Sequence, residues 1–173
     1  MPNPERILEK LEEYYKLKEK IDEITEAQTE IYREVRYALR DVLEDRVREE
    51  NVVKFLIVEV WAIFCKYSDL NAERLKEKLL STLEEYEDEG LEFVYEITKP
   101  TIRQYITDDL CEAMLKVYEK YKPRIEEYRR LGREKEKIIR YRREIFGIES
   151  GDIISLDNLV RLVYKCVKYA LEE

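Results

Sequence analysis

Residues 14–42 decide the fold, and they read YYKLKEKIDEITEAQTEIYREVRYALRDV. Apolar side chains recur every seven residues in two neighbouring rows, a pattern typical of an α-helix that packs along another helix. One row consists of Tyr14, Ile21, Val35 and Val42, and the other consists of Leu17, Ile24, Ile31 and Ala38. Gln28 interrupts the first row, at a position where a polar side chain can set the register or the oligomeric state of paired helices.

A second long helix is predicted by a similar series downstream. Asn3 and Pro4 favour a helix start, so we expect the first helix over residues 4–49, on the order of 65 Å long. Residues 101–146 predict a partner of similar length. Its seven-residue series contains Leu110, Val117, Leu131, Ile138 and Ile145. We expect Pro123 to kink this helix and Gly132 to be a second weak point.

Three shorter helices are predicted over residues 52–67, 71–88 and 156–171. The first is apolar on nearly all sides, so we expect it to be the most buried element. The sequence therefore predicts an all-α fold in which residues 1–173 form a single domain. We expect an elongated helical bundle with two long antiparallel coiled-coil-like helices and a smaller helical base.

The composition limits the setting in which the protein works. Charged residues make up 42% of the chain, and Glu, Lys and Arg dominate them, a balance typical of proteins from hot environments. Cys65, Cys111 and Cys166 lack metal-site spacing, which favours a reduced, cytoplasmic compartment where they act as small apolar residues. Residues 1–6 have no apolar export segment, and residues 52–67 are too short and too charged to span a membrane. We expect no membrane contact.

The chain lacks the residues on which most kinds of enzyme active site depend. The chain has no histidine, which removes the commonest general base and metal ligand, and its four glycines stand singly rather than in a phosphate-binding loop. We therefore predict no catalytic residue, metal or cofactor. A magnesium-dependent enzyme that uses carboxylates, such as Asp108, Asp109 and Glu112, is the third-ranked alternative, and it would need four converging carboxylates.

The charge is unevenly distributed along the chain. Residues 122–143 hold ten basic side chains against four glutamates, a local charge of +6, and the remaining residues carry −14. Tyr128 and Tyr141 each precede an Arg-Arg pair, a mixture that can stack on bases and bind phosphates. The candidate contact residues are Arg129, Arg130, Arg133, Lys137, Arg140, Tyr141, Arg142 and Arg143. The alternative is that these cations pair with acidic helices of the same chain.

These patterns favour a non-enzymatic helical interaction or assembly protein, a scaffold or adaptor. Its expected partner is another protein or a second copy of the chain. Nucleic-acid binding through residues 122–143 is the alternative function.

Overall fold

The computed structural model describes residues 4–146 together with Tyr164, Val167 and Lys168. Over this part of the chain the fold is an all-α helical bundle with six helices and no strand, as the sequence predicts. The helices are α1 (Pro4–Glu44), α2 (Glu50–Lys66), α3 (Ala72–Glu85), α4 (Asp88–Tyr95), α5 (Lys99–Arg103) and α6 (Asp108–Phe146). The helix predicted over residues 156–171 lies outside the described residues apart from Tyr164, Val167 and Lys168, which are helical.

The chain divides into two compact units, each built from parts of both long helices. One unit is Thr29–Arg129, and the other combines Met1–Gln28 with Arg130–Glu173. We call them the central unit and the terminal unit. The coiled-coil geometry, the elongated shape and the single domain expected from the sequence stay predictions.

The core of the central unit forms around α2. Phe55, Leu56 and Phe64 of this helix are fully buried, as are Leu75, Leu79 and Leu83 on one face of α3. Burying a side chain of this size stabilises the fold by about 1.5–3 kcal/mol. The spacing of four residues between these leucines places them on the same side of α3, which therefore packs against α2.

In the central unit, the two long helices run antiparallel. The guanidinium of Arg124 on α6 donates two 3.1 Å hydrogen bonds to the carboxylate of Glu34 on α1. Between these helices and α2, the Trp61 ring lies 5.1 Å from the Tyr32 ring and 4.9 Å from the Tyr128 ring. Aromatic pairs at such separations add about 0.5–1.5 kcal/mol beyond the area they bury.

In the terminal unit, the same two helices pair again. Tyr14 is 1% exposed, and the guanidinium of Arg142 lies 5.2 Å from the centre of its ring. A Cβ added to Gly132 would lie 3.2 Å from Nε2 of Gln28, so the polar interruption of α1 faces the glycine of α6. α6 continues through both Pro123 and Gly132, so it does not split at Gly132.

Several helix ends differ from the sequence prediction. α1 ends at Glu44 rather than near residue 49, because the chain turns to bury Val47. α3 ends at Glu85, where Tyr86 becomes extended and its ring packs 5.5 Å from that of Phe55. The helix expected from residue 101 begins at Asp108 instead.

The loop before α6 explains that late start. The short helix α5 carries Pro100 in its first turn, and it ends at Arg103. Thr107 then accepts a 3.2 Å hydrogen bond from the backbone N–H of Leu110, and Asp108 and Asp109 occupy the first turn of α6. A side-chain acceptor and acidic residues at this end compensate the free N–H groups of the helix.

Candidate interaction surfaces

Arg129, the first of the predicted contact residues, is used inside the central unit. Its Nε donates a 2.7 Å hydrogen bond to the carbonyl of Cys65, and its Nη2 donates to the carbonyls of Phe64 and Tyr67. These carbonyls lie at the end of α2, where the helix leaves backbone acceptors without partners and carries partial negative charge. Arg129 therefore acts as a side-chain cap for α2.

The candidates nearest the end of α6 also have contacts within the terminal unit. Arg142 is only 6% exposed and lies over the ring of Tyr14. The hydroxyl of Tyr141 donates a 3.1 Å hydrogen bond to Glu13, which raises the pKa of the phenol. Arg143 is half-buried, and its Nε has no hydrogen-bond partner among the described residues.

The remaining four candidates form one exposed surface, which we call the basic stripe. It consists of Arg130, Arg133, Lys137 and Arg140, all of them exposed. Their spacing of three, four and three residues confines them to an arc of about 80° on α6. The described ion pairs of the stripe are within the helix, Arg130 to Glu134 at 3.4 Å and Arg140 to Glu136 at 3.9 Å. Arg129 and Arg142, one from each Tyr-Arg-Arg sequence, have contacts inside their own compact units.

The acidic residues considered for magnesium chemistry lie at the start of α6. Asp108 forms a 2.8 Å ion pair with Lys76 of α3, and this contact raises the pKa of the lysine. In the described part of the chain, no group of three or more Cys, Asp or Glu side chains is arranged to hold a metal ion.

A groove lies between α1 and α6 within the central unit. Its volume is about 750 Å³, and we call it the α1–α6 groove. Its floor is apolar and contains Ala38, Val42, Ala113, Val117 and Tyr121. Tyr37 also lines the groove, and 65% of its area is exposed.

Charged side chains border the groove in a definite order. On α6, Asp109 and Glu112 come first, and Lys116 and Lys120 follow about two turns later. α1 contributes Glu34, Asp41 and Arg46. The heptad rows indicate that Ala38, Val42 and Val117 face another helix. They do not indicate that Ala38 and Val42 are only half-buried. Tyr37, an aromatic residue outside both rows of α1, is the signal that could have revealed the groove.

A second exposed apolar surface lies on α4. Phe93 is 88% exposed and Val94 is 63% exposed. Residues 84–96 contain seven acidic side chains and no basic one, so both apolar residues stand in an acidic surrounding. The opposite side of α4 carries the fully buried Leu91.

Two cysteine thiols and one tyrosine phenol of the central unit have raised pKa values. Burial raises the pKa of Cys65 to about 12, against a smaller opposing effect of Arg129, and raises that of Cys111 to about 11. Burial and a hydrogen bond to Glu59 raise the pKa of the Tyr86 phenol. Because the thiolate is the reactive form of cysteine, these two thiols are poor nucleophiles.

Among the residues that the structure describes, no helix combines the length and the apolar character needed to cross a membrane. Comparison with known proteins found no matching family model, no similar curated protein and no similar solved structure.

Proposed function

We propose that this chain is a non-enzymatic helical interaction protein and that the α1–α6 groove is its docking surface. The observation that carries the proposal is the groove itself, which lies between two helices and is lined by apolar side chains together with charges of both signs. Grooves of this kind accept the apolar face of a further helix, whose side chains complete the packing of the pair. The exposed ring of Tyr37 adds the aromatic contact that is enriched in protein interfaces.

A photo-reactive phenylalanine derivative placed at position 37 tests this function. Irradiation in a cell extract should attach a second polypeptide, identified by mass spectrometry, to the chain at this position. The matched control carries the same derivative at Arg36, which is exposed on α1 but does not line the groove. Equal labelling from both positions, or no adduct from position 37, would contradict the proposal.

Nucleic-acid binding is the second candidate function, and the basic stripe favours it. Four exposed cations on one face of α6 can contact successive phosphates, and such contacts release counterions and weaken with salt. The affinity for labelled single-stranded RNA and duplex DNA should be measured by fluorescence anisotropy at about 50 and 200 mM salt. The suitable variant is Arg133→Glu/Lys137→Glu, because neither side chain has a described partner, whereas Arg142 is buried. Undetectable binding at low salt would exclude this function.

A further inference from the structure

The sign of the groove charges changes along α6. Asp109 and Glu112 border one end of the groove, and Lys116 and Lys120 border the part that follows. Asp109, Glu112 and Lys116 form no described ion pair or hydrogen bond, and Lys120 lies 5.5 Å from the centre of its neighbour's ring, Tyr121. These four charges are therefore available to a partner.

Of the three charges that α1 brings to the groove, Glu34 has a described ion-pair partner within the chain, whereas Asp41 and Arg46 have none. Glu34 is bound by Arg124, and this contact raises the pKa of the arginine. The guanidinium of Arg46 donates a 3.1 Å hydrogen bond to the carbonyl of Val42. The four groove charges of α6 outnumber the two charges of α1 that lack a described ion pair.

We propose that the α1–α6 groove binds the same groove of a second copy of this chain, with the two α6 helices antiparallel about a two-fold axis. A two-fold axis that crosses α6 between Ala113 and Lys116 places Asp109 and Glu112 of each copy opposite Lys120 and Lys116 of the other. A parallel arrangement would place like charges opposite one another. This inference rests on the proposed function and names its partner.

The apolar floor fits the same arrangement. Ala38 and Ala113 are half-buried in the isolated chain, and their small side chains permit a close approach of a second pair of helices. In an isologous contact both copies use the same surface. Tyr37 lines the groove, so the Tyr37 ring of each copy becomes buried in the interface. The result is a four-helix arrangement in which α1 and α6 of both copies share one interface.

A charge-exchange experiment tests the two-fold interface in the full-length chain. Sedimentation equilibrium should give a wild-type mass of twice 21.1 kDa. Lys116→Glu/Lys120→Glu makes the α6 edge wholly acidic, and Asp109→Lys/Glu112→Lys makes it wholly basic. Each variant alone should dimerise at least about 100-fold more weakly, because like charges then face each other at both ends of the interface. An equimolar mixture of the two variants should form a heterodimer, because opposite charges again meet at both ends.

The matched control is Arg133→Glu/Lys137→Glu, which reverses two exposed cations of the same helix outside the groove and should leave the dimer unchanged. Circular dichroism of every variant checks that the helices are retained. A monomeric wild type, a dimer insensitive to both groove variants, or a mixture that stays monomeric would overturn the two-fold interface. If no dimer is found but the derivative at position 37 still labels a different polypeptide, the two-fold interface is wrong and the proposed function is still supported. If the derivative labels no polypeptide either, the proposed function is also wrong.

Discussion

At the scale of single residues, Arg129 and Arg130 are neighbours with opposite environments. Arg129 donates to three carbonyls at the end of α2, whereas Arg130 is exposed and pairs with Glu134 of its own helix. We expect Arg129→Ala to lower the free energy of unfolding by about 3 kcal/mol, because partly buried carbonyls lose a charged donor. Arg130→Ala should cost about 0.5 kcal/mol or less, as exposed pairs within a helix do.

Urea unfolding followed by circular dichroism measures both changes. Arg129→Lys is an informative third variant, since lysine keeps the charge near the end of α2 but cannot reach several carbonyls through a rigid fork. It should fall between the wild type and Arg129→Ala. Equal losses for Arg129→Ala and Arg130→Ala would show that the cap is not important for stability.

The cysteines give a second prediction at this scale. Because burial raises the pKa of Cys65 to about 12 and that of Cys111 to about 11, both remain protonated thiols at pH 8. We expect iodoacetamide to label them in the native chain at least about 100-fold more slowly than in denaturant. Peptide-resolved mass spectrometry measures each rate separately. Rapid native labelling of Cys111, which is fully buried, would contradict the packing described for α6.

At the scale of elements, the two glycines within helices differ in their surroundings. A Cβ added to Gly90 in α4 meets no atom within 4 Å, whereas one added to Gly132 in α6 lies 3.2 Å from the amide of Gln28. Gly90→Ala should raise the free energy of unfolding by about 0.5–1 kcal/mol, since alanine loses less conformational entropy in a helix. Gly132→Ala should raise the free energy of unfolding by less, because the Gln28 side chain must shift.

Chemical unfolding of both single variants checks this difference. The double variant Gln28→Ala/Gly132→Ala removes the close contact between the new methyl group and the Gln28 amide. It also removes the other interactions of Gln28. It therefore serves as the control for the steric effect of that contact. A larger gain from Gly132→Ala than from Gly90→Ala would mean that the Gln28 amide moves away without cost.

Helices with one apolar face could be predicted from the sequence. Helix ends that are set by a tertiary contact could not. The period of about 3.6 residues is a property of the chain itself, so α1, α2, α3 and most of α6 could be predicted. The end of α3 depends on Tyr86 contacting Phe55 and Glu59, which are far away in sequence. Glu96 ends α4 with a φ of 55° in the left-handed region, where a glycine signal would be expected.

The candidate contact residues could be distinguished from one another only by their structural environment. Arg129, Arg133 and Arg142 look alike in the sequence, yet the first caps α2, the second is exposed and the third is buried against Tyr14. Residue type identifies a basic segment but not the side that faces the partner helix. Which of the remaining basic side chains contact a nucleic acid or a protein stays a prediction.

At the scale of the whole molecule, the buried apolar side chains of the described residues lie mostly in the central unit. The main core cluster contains residues between Val35 and Ile125, whereas Leu11, Tyr14, Ile24 and Leu131 are the buried apolar residues described in the terminal unit. Hydrogen exchange depends on the free energy of local opening, which rises with the apolar area that must be exposed. We therefore expect backbone amides in residues 35–43 to exchange more slowly than those in residues 11–24 of the same helix.

Exchange followed by mass spectrometry of overlapping peptides tests this difference within α1. Residues 110–125 and 131–143 of α6 provide the same comparison in the partner helix. Uniform protection along both helices would show that each opens only as a whole. The ion pairs Arg130–Glu134 and Arg140–Glu136 do not alter this expectation, because both are exposed and contribute little each.

The position of Trp61 gives the chain a built-in optical reporter. It is the single tryptophan, and its indole lies between Tyr32 of α1 and Tyr128 of α6. Excitation that selects indole over phenol therefore yields emission from one point, where three helices of the central unit meet. A red shift of that emission reports the separation of α1 and α6 from α2. A thermal unfolding curve recorded by Trp61 emission follows the central unit alone, whereas circular dichroism follows the helices of the whole chain. The difference between the two curves therefore reports the unfolding of helices outside the central unit.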